Sequence, residues 1–275
     1  MYMRFTIVLA AMLMAGPVLA HPPVSVVFDS RGNLYYSDLT HVWRVAPNGN
    51  KAIVVRNVHT HELHVDADDN LFGEHLWYEG EETDEWGHYV WRRSPDGRIT
   101  KVIPPRKGFL TNYSFVRDAA GNMYWADRYR KQIRMRTPNG RLYAVAGGMR
   151  DVRWMHATAD GTIYLVEKRD LLRVRDGRVT VLVPNLAGTR FLRPDVAMRH
   201  AIMGIWSDAD ENVYVADYAH GEVKRITPNG RVSTVAESRF PWSPTGGGFA
   251  PNGDLWILET SVTNAVRVRR VDVRR

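Results

Sequence analysis

The sequence predicts an all-β chain, folded as a six-bladed β-propeller with four-stranded blades, on three observations. A turn-and-strand motif occurs six times, a second hairpin signal follows most copies, and the strand after the first turn is apolar at two adjacent positions. Repeats of about 40 to 50 residues made of short strands are the pattern of a propeller, one blade per repeat.

The first element is the turn. "DSRGNLYYSD" (29–38) aligns with "DADDNLFGEH" (66–75), "DAAGNMYWAD" (118–127), "TADGTIYLVE" (158–167), "DADENVYVAD" (208–217) and "APNGDLWILE" (250–259), at spacings of 37, 52, 40, 50 and 42. The strand that follows starts with an aliphatic side chain in every copy: Leu34, Leu71, Met123, Ile163, Val213 and Leu255. An aromatic comes next: Tyr35, Phe72, Tyr124, Tyr164, Tyr214 and Trp256. Neighbouring residues of a strand face opposite sides, so apolar residues in adjacent slots require burial on both faces. A blade standing between two other blades meets that requirement.

The second turn signal is "PNGN" (47–50), "PDGR" (95–98), "PNGR" (138–141), "RDGR" (175–178) and "PNGR" (228–231). Proline presets φ and Asn-Gly or Asp-Gly tolerates positive φ, which is hairpin chemistry. Each blade therefore reads as four strands joined by a tight turn, a loop and a second tight turn. The sixth copy ends in "NAVRVRRVDVRR", its third strand, so the last blade is expected to be incomplete, with the closure of the ring left open. Five copies end the second strand with an acid (Asp38, Asp127, Glu167, Asp217, Glu259), and the next strand carries an arginine (Arg44, Arg134, Arg173, Arg225, Arg267). Acid–arginine pairs tying these strands together are expected. The second blade breaks the rule with His75, beside Glu74 and ahead of Arg92.

Ahead of the repeats, "MYMRFTIVLAAMLMAGPVLA" (1–20) reads as a cleavable signal peptide: Arg4, then an apolar run, then the small-residue end Val18-Leu19-Ala20. The run is shorter than a membrane span and is interrupted by Gly16 and Pro17. The expected domains are the signal at 1–20 and one propeller at 21–275, with a periplasmic or secreted mature chain and no transmembrane segment in it. With no cysteine, disulfides and a thiol-linked lipid anchor are excluded. The net charge of +7 is spread along the chain rather than blocked. It carries no specific nucleic-acid signal and reads as a solvated basic surface.

Propeller topology sorts the polar residues. Tight turns gather on one face of the disc, and the irregular segments, including "RNVHTHE" (56–62) and "HLWYEGEETDEWGHY" (75–89), gather on the other. A ligand site is expected in that loop-rich mouth, where loops on a rigid scaffold converge. His59, His61 and Glu62 stand at the entrance end of the second innermost strand, with His64 deeper and His156 in the equivalent slot of blade four. His61, His156 and His200 are candidate ligands of a divalent metal ion, zinc or calcium, which would bring the pKa of a bound water to about 7. Glu62 is the candidate general base. His75, Trp77, Trp86, Tyr113 and Arg153 are candidate substrate contacts, since aromatic faces beside carboxylates suit a sugar or a cation.

These repeats resemble NHL-type propellers, within the broad group that holds the gluconolactonase, strictosidine-synthase-like and peptidyl-amidoglycolate lyase families. The resemblance spans the mature chain. The lyase resemblance implies zinc on histidines from three blades, here His61, His156 and His200, with Tyr113 and Arg153 acting on substrate. The strictosidine-synthase resemblance implies a catalytic Glu62. The lactonase pattern is broken: its Asn and Asp ligand slots hold Ile202 and Thr245, and Val24 and Ser25 stand where an acid should precede the first strand. The expected function is a metal-assisted hydrolase or lyase of a small ester, lactone or sugar-like substrate. The alternative is a non-catalytic module binding a glycan or an envelope protein through the same aromatic rim.

Overall fold

A computed structural model describes residues 22–78, 86–107, 115–188 and 200–272, with Tyr78 and Trp86 described as backbone only. Their strands form six antiparallel sheets, five of four strands and a last one of three, each laid down in chain order. The first strands of the sheets are Val26–Phe28, Leu63–Val65, Val116–Arg117, Val152–Ala157, Ile202–Ser207 and Trp242–Phe249. They touch in cyclic order, the sixth returning to the first. The molecule is a six-bladed propeller, as the repeats predict.

The adjacent apolar slots behave as the two-sided burial argument requires. Leu34, Leu71, Met123, Ile163, Val213 and Leu255 are all buried. The apolar clusters lie between blades rather than within one: Tyr35, Val42 and Val55 meet Leu63, Leu71 and Trp91 across the first interface. The second interface carries a smaller cluster, in which Leu76, Val90 and Ile103 meet Phe115, Met123 and Trp125.

The repeated turn is a self-contained hydrogen-bond unit. Asp29 Oδ1 accepts from the backbone of Arg31 and Asn33, while Oδ2 accepts from Asn33 Nδ2 and, at 2.9 Å, from the Tyr35 hydroxyl. Asp118 and Asp208 repeat this with Tyr124 and Tyr214. The motif is therefore architectural. In blade 2, Phe72 takes the aromatic slot, so Asp66 caps its turn without a phenol.

The acid–arginine expectation holds only in the last blade, where Glu259 pairs with Arg267 and Arg269. Register explains the rest. Arg44 lies opposite Tyr35 and Arg225 opposite Tyr214, mid-strand and away from the terminal acids. Asp38 instead accepts from Trp43 Nε1, Asp127 pairs with Arg130, and Asp217 holds His220 and Lys224. Glu167 accepts from the Arg150 and Asp151 backbone. Arg267 reaches its acid because it lies directly opposite Glu259.

Among the described residues, no N-terminal strand joins the last sheet. The inner strands of blades 6 and 1 meet directly, through a parallel bridge between Ser25 and Gly247. Glycine permits the approach: a Cβ on Gly246 would lie 1.8 Å from the Val24 carbonyl oxygen, and one on Gly248 2.2 Å from that of Val26. Gly204 of blade 5 faces the Val24 and Thr245 backbones in the same way.

Candidate functional site

The described residues enclose a cavity of about 840 Å³ along the axis and into the gap between blades 2 and 3. That is within the range of small-ligand sites. Among the described residues it is bordered by the tight turns, at Asp66, Ala67, Asp118, Gly121 and Pro251, and by Glu62 from the irregular segment of blade 2. The sequence placed the opening on the loop face. At that end of the axis His61 of blade 2 reaches toward Trp154 of blade 4, ring centroids 6.4 Å apart, and both are buried.

Glu62 faces the cavity from the start of the second inner strand. Its Oε2 accepts a 2.6 Å hydrogen bond from Ser25 Oγ of blade 1, and the same serine oxygen accepts from the Leu63 N–H. Behind it lies Glu74, whose Oε1 accepts from the backbone N–H groups of His61 and Glu62. Burial pushes the Glu74 carboxyl up to about 7, against the pull of those hydrogen bonds. A carboxyl that changes charge near neutrality thus supports the segment carrying Glu62.

His64 and His156 line the cavity from blades 2 and 4, and Ser207 from blade 5. His156 Nε2 and Ser207 Oγ are 2.9 Å apart. Burial first, then the positive charge of Arg117, pushes His64 down to about 4. Burial, then the neighbouring His64, does the same to His156. His59, buried beside His61 and His75, is also held at about 4. All three rings are neutral at pH 7, able to accept a hydrogen bond.

These shifts carry a stability consequence. Between about pH 4 and 6.5 the unfolded chain binds protons on the three histidines that the folded chain refuses, so stability falls as pH drops through that window. Glu74 acts oppositely between 4.5 and 7, where the folded state holds the extra proton. Three groups outweigh one, and the thermal midpoint is expected to decline from pH 7 to 4.5, less steeply in His64→Gln. A flat or rising midpoint across that series contradicts these environments.

The remaining sequence candidates fall in different places. His75 accepts from the His59 N–H through Nδ1 and stacks on Tyr89, centroids 4.8 Å apart. Trp77 lies on the open face of Gly87, across its own blade. Arg153 is buried, with Nε 3.6 Å from Asp151 Oδ1. His200 is partly buried, just ahead of the inner strand of blade 5. Tyr113 and the Trp86 side chain lie outside the described residues.

The described residues show no ligand cluster for the expected metal: no group of three or more of their His, Asp or Glu side chains gathers closely enough to hold an ion. His61 turns to Glu74 and Trp154 while His156 turns to Ser207, so His61, His156 and His200 are not one ligand set. The lactonase ligand slots also stay non-coordinating, with Ile202 and Thr245 fully packed. These residues do not fit a divalent ion. The sequence reading did not pick out Ser25, Ser207 or Arg117. Arg117 carried a signal, because it interrupts an otherwise uncharged slot just before the turn.

No protein-family model matches the chain, and no curated protein matches it. Solved structures do resemble it. A streptogramin B lyase superposes with a TM-score of 0.57 at 12% identity, over 90% of this chain and 93% of its own. The calcium-binding protein regucalcin from Agrobacterium tumefaciens gives 0.60 at 15%, over 87% and 81%. A glucose dehydrogenase gives 0.64 at 12%, over 92% and 97%. At such identities the likeness shows the propeller fold and carries no residue role.

Proposed function

We propose that the protein is an exported hydrolase or lyase that takes a small polar ester, lactone or sugar-like substrate into the axial cavity from the turn face. One observation carries this reading: Glu62, His64, His156 and Ser207, from three blades, converge on one cavity of ligand size. The hydrogen bond from Ser25 orients Glu62, as a general base must be oriented. The neutral His156 paired with Ser207 supplies a second proton acceptor across the cavity, or a hydroxyl whose proton it can take. Propellers related in fold include a lyase and a dehydrogenase, which supports enzymatic use of the scaffold. No step runs through a metal ion.

The test is a turnover screen of the mature protein against lactones, esters and substrates of β-elimination. Glu62→Gln is expected to lower kcat by about 100-fold or more with KM little changed, in keeping with loss of a general base. Turnover unchanged by Glu62→Gln removes that role. A second reading rests on the stacked rings of His75, Tyr89 and Trp77 on blade 2, with Lys101 over the Tyr89 ring at 4.8 Å. Such a platform suits a non-catalytic contact with a glycan or an envelope protein. Glycan binding lost in Trp77→Ala, with no turnover in the screen, favours it.

A further inference from the structure

Blade 3 departs from the repeat in a row that the other blades fill with at most one charged side chain, Arg93 opposite Leu71 in blade 2. In each blade one cross-strand row joins the residue before the first turn, the aliphatic slot and its partner in the third strand. In blade 1 the row is Phe28, Leu34 and Val45; in blade 4 it is Ala157, Ile163 and Val174; in blade 5 it is Ser207, Val213 and Ile226. In blade 6 it is Phe249, Leu255 and Val271. Blade 3 places Arg117 and Arg136 on either side of Met123. Two charged side chains therefore occupy slots that those four blades fill with uncharged ones.

Both arginines line the cavity, and Arg92 of blade 2 lines it from the opposite wall. Arg117 lies over the Phe72 ring at 4.6 Å, and its one hydrogen-bond contact is Met123 sulfur at 3.8 Å. Arg92 Nε is buried without an acceptor, as are Arg44 and Arg225 Nε in the equivalent slots of blades 1 and 5 and Arg134 Nε of blade 3, so this feature belongs to the repeat and the cleft is marked by Arg117 and Arg136. Among the described residues none of the three forms an ion pair with a carboxylate. The acids that share the cavity are otherwise engaged. Asp66 and Asp118 cap their own turns, and Glu62 is held by Ser25. Burial, then the like charge of Arg136, draws Arg117 down to about 10. Taking the Arg117 guanidinium out of water is costly, Asp66 and Glu74 offset that cost only in part, and the forked donors of a guanidinium match the oxygens of carboxylate and phosphate.

We infer that the ligand of this cavity is an oxyanion, its carboxylate or phosphate group held by Arg117 and Arg136 in the cleft between blades 2 and 3. Resting on the axial-cavity reading above, this makes the substrate class an acidic one. The anionic group anchors in the cleft while the remainder extends toward Glu62 on the axis.

Thermal unfolding of the mature protein in inorganic phosphate or citrate, against chloride at matched ionic strength, tests this. An anion present at roughly ten times its Kd is expected to raise the midpoint by about 3 to 6 °C. The two arms separate phosphate from carboxylate preference. Arg117→Met, which restores an apolar row, is expected to abolish the rise without lowering the midpoint in chloride. Arg136→Val, using the residue of blades 1 and 4, serves as the second variant. A wild-type midpoint indifferent to both anions overturns the inference, as does a rise that survives both substitutions. Glu62→Gln is expected to keep the anion response whatever its turnover, so a failed catalytic reading and a failed anion site give different results.

Discussion

Gly246→Val is expected to abolish folding, or to lower the thermal midpoint by about 10 °C or more. The first side-chain carbon would lie 1.8 Å from the Val24 carbonyl oxygen, a backbone atom that no rotamer change can move aside. Relief requires separating the inner strands of blades 6 and 1. Among the described residues the ring is closed by contact of those strands, through the Ser25–Gly247 bridge. Overpacking a core typically costs about 1 to 3 kcal/mol, and a clash of backbone against backbone at the seam lies above that range. At about 2 to 4 °C per kcal/mol for a domain of this size, 4 kcal/mol or more (~4) corresponds to the loss stated. Gly147→Ala is the control: its Cβ meets nothing within 4 Å, and a change of only about 0.5 kcal/mol is expected. Equal midpoints for Gly246→Val and Gly147→Ala would show that the seam is not closed by contact of these two strands.

Glu74→Ala is expected to cost about 3 to 5 kcal/mol, and to lower any activity that depends on Glu62. The carboxyl is buried, and Oε1 serves two backbone N–H groups, those of His61 and Glu62. Each donor left buried without an acceptor costs about 1 to 3 kcal/mol, and the void adds to it. The segment so released is the one that aims Glu62 into the cavity. Glu74→Gln separates shape from charge, since the amide oxygen still accepts. The folded-state carboxyl is raised to about 7 from the ordinary 4.5. Its contribution is therefore fully present below pH 4.5 and lost as pH rises through 7. Glutamine has no such loss, so Glu74→Gln is expected to match wild type near pH 5 and exceed it at pH 8, by chemical denaturation. A constant difference between the two proteins over that range would mean that Glu74 is not held in its neutral form by burial.

The architecture was legible because a blade is a local object. Six copies of one turn, with an aliphatic and an aromatic residue after it, specify strand, turn and two-sided burial from neighbours in sequence. The buried Leu34, Ile163 and Leu255 follow from that pattern alone. The described last sheet has three strands, the third formed by the "NAVRVRRVDVRR" segment. The acid–arginine pairing was misread because motif spacing says that two residues recur together, whereas pairing depends on cross-strand register. Arg44 lies opposite Tyr35, three residues short of Asp38.

The sequence by itself determined that the chain makes six like sheets around an axis and that blade 2 is chemically unlike the rest. Only the tertiary structure decided what that chemistry faces. His61 and Trp154, far apart in the chain, meet over one end of the axis, while Glu62 finds Ser25 and His156 finds Ser207 across blade boundaries. The reason is physical: strands and turns answer to residues a few positions away, but a cavity is the space left when side chains from several blades fail to fill it. Its position depends on the sizes and directions of groups that no local pattern relates.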